Sequence, residues 1–298
     1  MRVGVFGLTP PADVGADRAL EWSIGEAAKL GVEIIGGDHR ATFRWGTFAC
    51  DRGYWSELRA MAADRGLDIE PYVRSPFDVA GPDSGATRAA MVESIRASKE
   101  LGGPVLRTAY GDQTVARTRF APMDLAVHLK RLESNLREAA KIAESEDVIL
   151  AVENHTDFSG REWAAVFSNV NSERIRCALD TGNGLTIFSD PAEDAEALAR
   201  WSVTSHIKDM RVIENPRPAN GMSPQVPFGL TGCPIGEGNI GVAAILRRLI
   251  SESPLRDRVP LIVEPSWPSG ATEANLPQKR NALVEANVRN LRKLLQEL

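Results

Sequence analysis

Four apolar stretches in the second half of the chain each end in side chains that are able to bind a metal ion. Their ionisable residues are Glu153, Asp180, His206 and Glu264. Three carboxylates gathered in one place would repel one another and resist removal from water, and a divalent cation removes both penalties. Three hard oxygen donors and one imidazole suit Mn²⁺, Mg²⁺ or Co²⁺ better than a thiolate-rich zinc site. The sequence therefore predicts a divalent metal site, provided that the fold brings these side chains together.

Two further ionisable residues lie two positions beyond predicted ligands. Residues two apart on a strand share a face, so His155 should accompany Glu153, and Lys208 should accompany His206. His155 is a candidate catalytic acid or base, because an imidazole normally titrates near neutrality; alternatively, it is hydrogen-bonded to a ligand carboxylate. Lys208 is a candidate substrate contact for an enolate or phosphate oxygen, or it pairs with a neighbouring aspartate.

Three other residues are candidate substrate contacts. His39 follows the second apolar run, and Arg107 ends the fourth, where it either binds a substrate hydroxyl or carboxylate or lies in a buried salt bridge. Glu237 lies within residues 211–239, a stretch rich in Gly and Pro that is predicted to be a lid or binding loop. Its Gly236-Glu237-Gly238 segment is only weakly similar to a phosphate cradle, since no helix with a P-loop lysine follows.

The elements that must hold these residues alternate between short apolar runs and longer segments with helical periodicity. The runs predict eight strands, at residues 3–8, 32–36, 67–73, 105–110, 148–155, 175–180, 203–208 and 260–264. The intervening segments predict eight helices, at residues 19–30, 54–65, 86–101, 123–144, 161–170, 191–201, 242–251 and 278–295. His128, in the fourth helix, is expected to face solvent.

Strict alternation of strand and helix implies a parallel sheet, because each helix returns the chain across the sheet face. Eight such units in 298 residues predict a (β/α)8 TIM barrel, as a single domain over residues 1–298. An open doubly wound sheet is the competitor, but the first turn, residues 7–11, lacks the G-x-G-x-x-G spacing of a dinucleotide site. In the barrel, polar residues that end neighbouring strands converge at one face, because adjacent strands lie only about 4.8 Å apart.

Composition excludes several classes of partner. The chain carries 35 Lys and Arg against 40 Asp and Glu, a formal net charge of −5, so it lacks the basic excess of a nucleic-acid-binding protein. Its three cysteines show neither metal-binding nor disulfide spacing. No stretch has the roughly 18 to 20 apolar residues of a membrane span, and the first apolar run breaks at prolines before signal-peptide length. We therefore expect a cytoplasmic protein that binds neither nucleic acid nor a membrane.

The segments Val-Glu-Asn-His, Leu-Asp-Thr-Gly-Asn, His-Ile-Lys-Asp and Ile-Val-Glu resemble the metal-ligand motifs of the xylose isomerase-like barrels, a family of sugar phosphate isomerases and epimerases. The resemblance spans essentially the whole chain. It implies that Glu153, Asp180, His206 and Glu264 bind a divalent metal, commonly Mn²⁺. Family members isomerise or epimerise ketoses, and related branches dehydrate keto-inositols or eliminate the aglycone from 3-keto-glycosides.

Two features differ from the ketose 3-epimerases of that family. Asn183 stands where a second histidine is usual, three residues after the Asp ligand, and the Lys-Asp that follows His-Ile is more similar to the dehydratase and eliminase branches. We predict a metal-dependent sugar isomerase or epimerase that abstracts a proton next to a metal-bound carbonyl, with Glu153 and Glu264 sharing the acid and base roles. The alternative is a lyase, a dehydratase or glycoside eliminase acting on a 3-keto-sugar or keto-inositol, with His155 as base.

Two other classes of function are considered. An endonuclease IV-type repair enzyme is excluded, because its trinuclear zinc site needs more than the four histidines present. A non-catalytic sugar-binding or assembly subunit is the non-enzyme alternative. The expected partners are a small sugar or keto-sugar substrate and, in the assembly, either further copies of the chain or a small second subunit.

Overall fold

Eight short parallel strands form the inner sheet. The computed structural model describes residues 1–15, 18–37, 52–73, 85–110, 125–215 and 228–298. Within these residues, the eight predicted strands are confirmed, and two more form a separate hairpin. The strands are β1 (Val3–Val5), β2 (Ile34–Gly37), β3 (Asp68–Pro71), β4 (Val105–Ala109), β5 (Ile149–Glu153), β6 (Ile175–Asp180), β7 (Ser202–Ile207), β8 (Asp209–Glu214), β9 (Phe228–Cys233) and β10 (Leu261–Val263).

The inner sheet has the strand order of a barrel. Its order is β3-β2-β1-β10-β7-β6-β5-β4, and neighbouring strands pair in parallel. The two edge strands of this order, β3 and β4, meet at a parallel bridge between Tyr72, which directly follows β3, and Arg107. There the Val73 amide donates to the Arg107 carbonyl at 2.7 Å. The sheet therefore forms a nearly closed barrel, which confirms the predicted TIM-barrel fold in a single domain.

Helices surround this sheet. The described residues contain α1 (Ala19–Lys29), α2 (Arg52–Ala63), α3 (Gly85–Leu101), α4 (Leu125–Ser145), α5 (Gly160–Val170), α6 (Asn183–Thr186), α7 (Pro191–Leu198), α8 (Val242–Glu252) and α9 (Leu276–Gln296). The eight predicted helices are confirmed, and the four-residue α6 is additional. The prediction of a helix at 191–201 is wrong for the last turn, where Ala199–Trp201 forms a 3-10 turn. None of the helices described is both long and apolar enough to cross a membrane.

The main apolar core fills the space between the sheet and the helices. Side chains from both layers are almost completely buried there, such as Ile24 and Leu136 from the helices and Val5 and Leu150 from the strands. Each fully buried side chain of this size contributes about 1.5 to 3 kcal/mol by leaving water. This packing fixes the strands and so fixes the carboxyl-terminal face on which they end.

The described part of residues 211–239, a stretch predicted to be a lid or binding loop, contains a β hairpin. Strands β8 and β9 pair in antiparallel register, with Met210 opposite Gly232 and Val212 opposite Leu230. Gly232 allows the hairpin to approach the next segment closely, and its amide donates to the Trp267 carbonyl at 2.7 Å. A Cβ at this position would lie only 2.8 Å from the backbone oxygen of Ser266. The hairpin therefore lies against the segment that follows β10.

The prediction that His128 faces solvent is also wrong. His128 is only 2% exposed, and it shares one face of α4 with the buried Leu132 and Leu136. The spacing of four residues along the helix places these side chains on the same stripe. Burial lowers the pKa of His128, because the charged imidazolium loses its hydration.

Candidate metal centre

The four predicted ligands lie together at the carboxyl-terminal ends of consecutive barrel strands. Glu153 and Asp180 are the last residues of β5 and β6, His206 lies near the end of β7, and Glu264 follows β10. One ligand atom of each residue lies within 4.8 Å of those of the other three. The register of the parallel sheet produces this cluster, since Asp180 is directly paired with His206. The prediction that these side chains converge is confirmed.

His206 directs Nδ1 towards all three carboxylates. This atom lies 3.2 Å from Oε2 of Glu264, 3.7 Å from Oε2 of Glu153 and 3.9 Å from Oδ2 of Asp180. Among the described residues, neither ring nitrogen of this buried histidine has a hydrogen-bond partner. A buried imidazole nitrogen that faces three carboxylate oxygens without a hydrogen bond fits a metal ligand set. The donor chemistry also fits a hard divalent cation.

Lys208 lies beside this cluster. Its ammonium is 2.6 Å from Oε2 of Glu264 and 2.8 Å from Oδ2 of Asp180, and it donates to Oδ1 of Asn183 at 3.2 Å. Of the two roles left open by the sequence, the structure therefore places Lys208 in an ion pair with a neighbouring aspartate. Burial by itself lowers the pKa of Lys208, but the carboxylates of Asp180 and Glu264 raise it above its usual value.

The three carboxylates differ in their environments. Burial raises the pKa of Asp180 to about 6, although the Lys208 ammonium acts in the opposite direction. Burial also disfavours ionisation of the two glutamates, but Lys208 and His206 hold the pKa of Glu264 well below its usual value. His206 and Arg107 lower the pKa of Glu153. The cluster thus presents ionised oxygens at neutral pH.

Arg107 lies in a buried salt bridge, the second of the two roles left open by the sequence. Its Nη1 donates to Oε2 of Glu153 at 2.6 Å, and its Nε lies 3.3 Å from Oε1 of Glu70. The guanidinium carbon lies 4.5 Å from the ring centre of Phe6 and 4.7 Å from that of Tyr72. Cation–π contacts of this kind stabilise a desolvated guanidinium. Arg107 therefore orients a predicted metal ligand.

A family model described as a xylose isomerase-like TIM barrel matches residues 24–294. The chain belongs to this family. No curated protein matches the sequence. The family match agrees with the resemblance carried by the four strand-end motifs.

Solved structures share the fold of this xylose isomerase-like barrel over nearly the whole chain. D-Psicose 3-epimerase from Clostridium cellulolyticum H10, with D-tagatose, is 16% identical, with a TM-score of 0.67 and 99% of both chains covered. A xylose isomerase-like TIM barrel protein from Mycobacterium smegmatis in complex with magnesium is 17% identical, with a TM-score of 0.66, 99% of this chain and 97% of that chain covered. The probable 3-DHS dehydratase AsbF from Bacillus anthracis is 12% identical, with a TM-score of 0.61, 98% and 99% covered. At these identities the likeness shows the fold alone.

Asn183 holds two members of the candidate metal centre. Its Nδ2 donates to Oε1 of Glu153 at 3.1 Å, and its own backbone amide donates to Oδ1 of Asp180 at 2.9 Å. The sequence marked Asn183 only as a departure from the epimerase pattern. Its place in the first turn of α6, three residues after Asp180, is the signal that would have identified it as a contact of the site.

Glu70 was missed at the sequence level. It lies in β3, where burial raises its pKa, and its contacts include Arg107 and the hydroxyl of Thr204. The available signal was an acidic residue within an apolar strand, since a buried charge needs a partner. Its partners lie on other strands, so no local pattern indicates which residues they are.

His155 does not continue the strand face of Glu153. Its amide donates to the Glu153 carbonyl at 2.9 Å, and the Asp157 amide donates to the His155 carbonyl at 2.8 Å. Such two-residue hydrogen bonds turn the backbone tightly, so the alternation of strand faces ends at Glu153. His155 is half-buried and lies near enough to Glu153 to contribute to the lowering of its pKa.

Glu237, another predicted substrate contact, is not in the cluster. Glu237 lies on a surface turn, about half exposed, with Oε2 3.7 Å from Nη2 of Arg211. The amides of Gly236 and Gly238, predicted weakly as a phosphate cradle, instead donate to Oδ2 of Asp209, each at 3.0 Å. His39 lies outside the described residues.

Proposed function

We propose that this chain is a divalent-metal-dependent sugar isomerase or epimerase that moves a proton next to a carbonyl. The observation that carries the proposal is the convergence of Glu153, Asp180, His206 and Glu264, whose ligand atoms lie within 4.8 Å of one another. When bound, the cation would supply Lewis-acid polarisation of a substrate carbonyl and stabilise the negative charge left by the departing proton. Mn²⁺ is the proposed cation, with Mg²⁺ and Co²⁺ as alternatives.

The two glutamates are suited to different parts of the proton transfer. Glu153 is held by donors on both carboxylate oxygens, Arg107 on Oε2 and Asn183 on Oε1, which keeps it fixed and ionised. The side chain of Glu264 is 17% exposed, against 4% for Glu153, so Glu264 has the better access to substrate and solvent. We assign proton removal and return to this pair, with Glu264 exchanging its proton with water.

A lyase is the second candidate, and Asn183 favours it. This residue occupies the position of the second histidine usual in ketose 3-epimerases, and it binds Glu153 and Lys208. In this alternative, His155 removes the proton and a neighbouring hydroxyl or aglycone leaves. The structural neighbours include both an epimerase and a probable dehydratase, so fold similarity supports either candidate.

Product mass distinguishes the two candidates. The protein loaded with Mn²⁺ would be incubated in D₂O with a panel of ketoses, keto-inositols and 3-keto-glycosides, and the products analysed by mass spectrometry. An isomerase or epimerase yields a product of unchanged composition that carries solvent deuterium, whereas a lyase yields one that has lost water or an aglycone. Absence of any deuterium exchange or loss across the panel would contradict the proposed function.

Variants connect this activity to the site. Glu153→Gln and Glu264→Gln should each lower turnover by about 10²- to 10⁴-fold, the usual contribution of a positioned acid or base. Glu297→Gln, on the exposed carboxyl-terminal end, is the control and should retain wild-type turnover. His155→Gln separates the candidates, because the loss should be large only for the lyase. Three further points stay predictions. These are substrate contacts through His39 and Glu237, a cytoplasmic location, and assembly with further copies or a small subunit.

A further inference from the structure

The position of Lys208 is enforced by the surrounding backbone. Thr181 clamps the residue, since its hydroxyl accepts from the Lys208 amide at 2.9 Å and donates to the Lys208 carbonyl at 2.8 Å. Gly182 leaves room for the aliphatic part of the side chain, because a Cβ there would lie 2.7 Å from Cγ of Lys208. The hydrogen bonds of Thr181 and the space left by Gly182 therefore direct the ammonium into the cluster.

The ammonium and the predicted metal position use the same carboxylate oxygens. Oδ2 of Asp180 and Oε2 of Glu264 face both Nζ of Lys208 and Nδ1 of His206. The other oxygen of Asp180, Oδ1, accepts from the amides of Gly182 and Asn183 at 2.8 and 2.9 Å. Oδ2 is thus the oxygen that Asp180 offers to a cation, and Lys208 already contacts it.

Lys208 also changes the charge of the ligand set. The three ionised carboxylates of Glu153, Asp180 and Glu264 carry three negative charges, and the ammonium leaves a net of two. Arg107 contributes less to this balance, because it is shared with Glu70 outside the ligand set. A net of two negative charges is balanced by one divalent cation, whereas the set without Lys208 would be balanced by a trivalent one.

We propose that Lys208 sets the charge selectivity of this site, by lowering the charge of the ligand set to the value that one divalent cation balances. The inference rests on the proposed function, since it requires the four residues to bind a metal. In this role Lys208 acts through the ligand carboxylates and does not itself bind the metal. It opposes any bound cation through Coulomb repulsion, and it opposes a trivalent cation more strongly than a divalent one.

Metal titration of the metal-free protein tests the proposal. Mn²⁺ binding would be followed by electron paramagnetic resonance and Tb³⁺ binding by luminescence, for the wild type, Lys208→Met and Lys208→Arg. Lys208→Met should bind both ions more tightly, and its ratio of Tb³⁺ to Mn²⁺ affinity should rise at least about tenfold, because the repulsion scales with ion charge. Lys208→Arg keeps the positive charge, so its ratio should stay near that of the wild type. Lys141→Met, on an exposed helix face, is the surface control.

The outcomes separate the inference from the proposed function. If the wild type binds Mn²⁺ but Lys208→Met has an unchanged affinity ratio, or weaker Mn²⁺ binding, only the role of Lys208 is overturned. If the wild type binds no divalent cation, the metal-dependent function is overturned as well.

A loss of folding is also informative. Without metal, Lys208→Met leaves three carboxylates facing one another, so its melting temperature should fall, and Mn²⁺ should restore it. Lys208→Gln is the second variant, with a polar side chain that is able to donate to Asn183. If circular dichroism shows that Mn²⁺ restores neither variant, the proposal is overturned, because the cation then does not replace the neutralisation by Lys208.

Discussion

The guanidinium of Arg107 lies 2.6 Å from the carboxylate of Glu153, a member of the candidate ligand cluster, and both side chains are buried. The same guanidinium contacts Glu70, so one cation on β4 pairs with a carboxylate on each of the two flanking strands, β3 and β5. A salt bridge of this kind is destabilising to break, because each partner left alone is a buried uncompensated charge. The pair therefore connects the stability of the barrel with the orientation of a candidate ligand.

Arg107→Met tests this connection. It should lower the free energy of unfolding of the metal-free protein by about 3 to 5 kcal/mol, measured by urea denaturation, because Glu153 and Glu70 lose their shared partner. Arg161→Met is the matched control, since Arg161 pairs with Glu193 at 2.9 Å on the surface, where the side chains are 77% and 58% exposed. The control should change stability by no more than about 1 kcal/mol. Equal losses in the two variants would show that the buried pair is not structurally important.

Divalent metal should stabilise the folded protein. At a free Mn²⁺ concentration of about 100 times Kd, binding to the native state alone adds about 2.7 kcal/mol to the free energy of unfolding, which raises the melting temperature. Asp180→Asn should largely abolish this rise, because it removes the ionised oxygen of a predicted ligand. Asp147→Asn, at an 80% exposed aspartate, should respond to Mn²⁺ as the wild type does. A full response in Asp180→Asn would contradict the ligand assignment.

Asp157 should make stability depend on pH. Burial raises the pKa of this carboxyl from 3.8 to about 6, although its Oδ1 accepts hydrogen bonds from the Phe158 amide and from Nε1 of Trp163. A raised folded-state pKa means that the protonated form is favoured on folding. The contribution of protonated Asp157 to the free energy of unfolding is fully present below about pH 4 and is lost as the pH rises through about 6.

Asp157→Asn should remove this dependence, because the amide keeps the acceptor oxygen and cannot ionise. The variant should therefore gain stability relative to the wild type between pH 4 and pH 7, by at most about 3 kcal/mol. Urea denaturation across this range measures the difference, and the two proteins at pH 4 provide the internal reference. A constant difference at all pH values would rule out the buried ionisation of Asp157.

Gly182→Ala should be destabilising for a steric reason. The added methyl group would lie 2.7 Å from Cγ of Lys208 and 3.0 Å from its Cδ, so the lysine must move away from its carboxylate partners. Overpacking of this kind costs about 1 to 3 kcal/mol. Gly25→Ala is the control, because Gly25 lies within α1 and a methyl group added there would meet no atom within 4 Å, so this variant should gain up to about 1 kcal/mol. Thermal unfolding of both variants decides whether the space at Gly182 is required.

The ligand cluster could be predicted because its signals are local. Each of Glu153, Asp180, His206 and Glu264 directly ends, or lies near the end of, an apolar run, and eight alternating units place such ends on one face. The periods of strands and helices are properties of short segments, so they predict the elements to within a few residues. The same periodicity would have shown that His128 shares a buried stripe with Leu132.

The contacts around the ligands were decided by the tertiary structure. The pairing of Arg107 with Glu70 depends on closure of the barrel between β3 and β4, and the contacts of Lys208 with Asp180 and Glu264 depend on three strands ending in register. The hairpin of β8 and β9 pairs residues far apart in the chain, which no local period reveals. The sequence alone thus determined the fold and the candidate ligands, because strand and helix periods are local. Only the folded barrel determined which charges neutralise one another, because those distances depend on strand register.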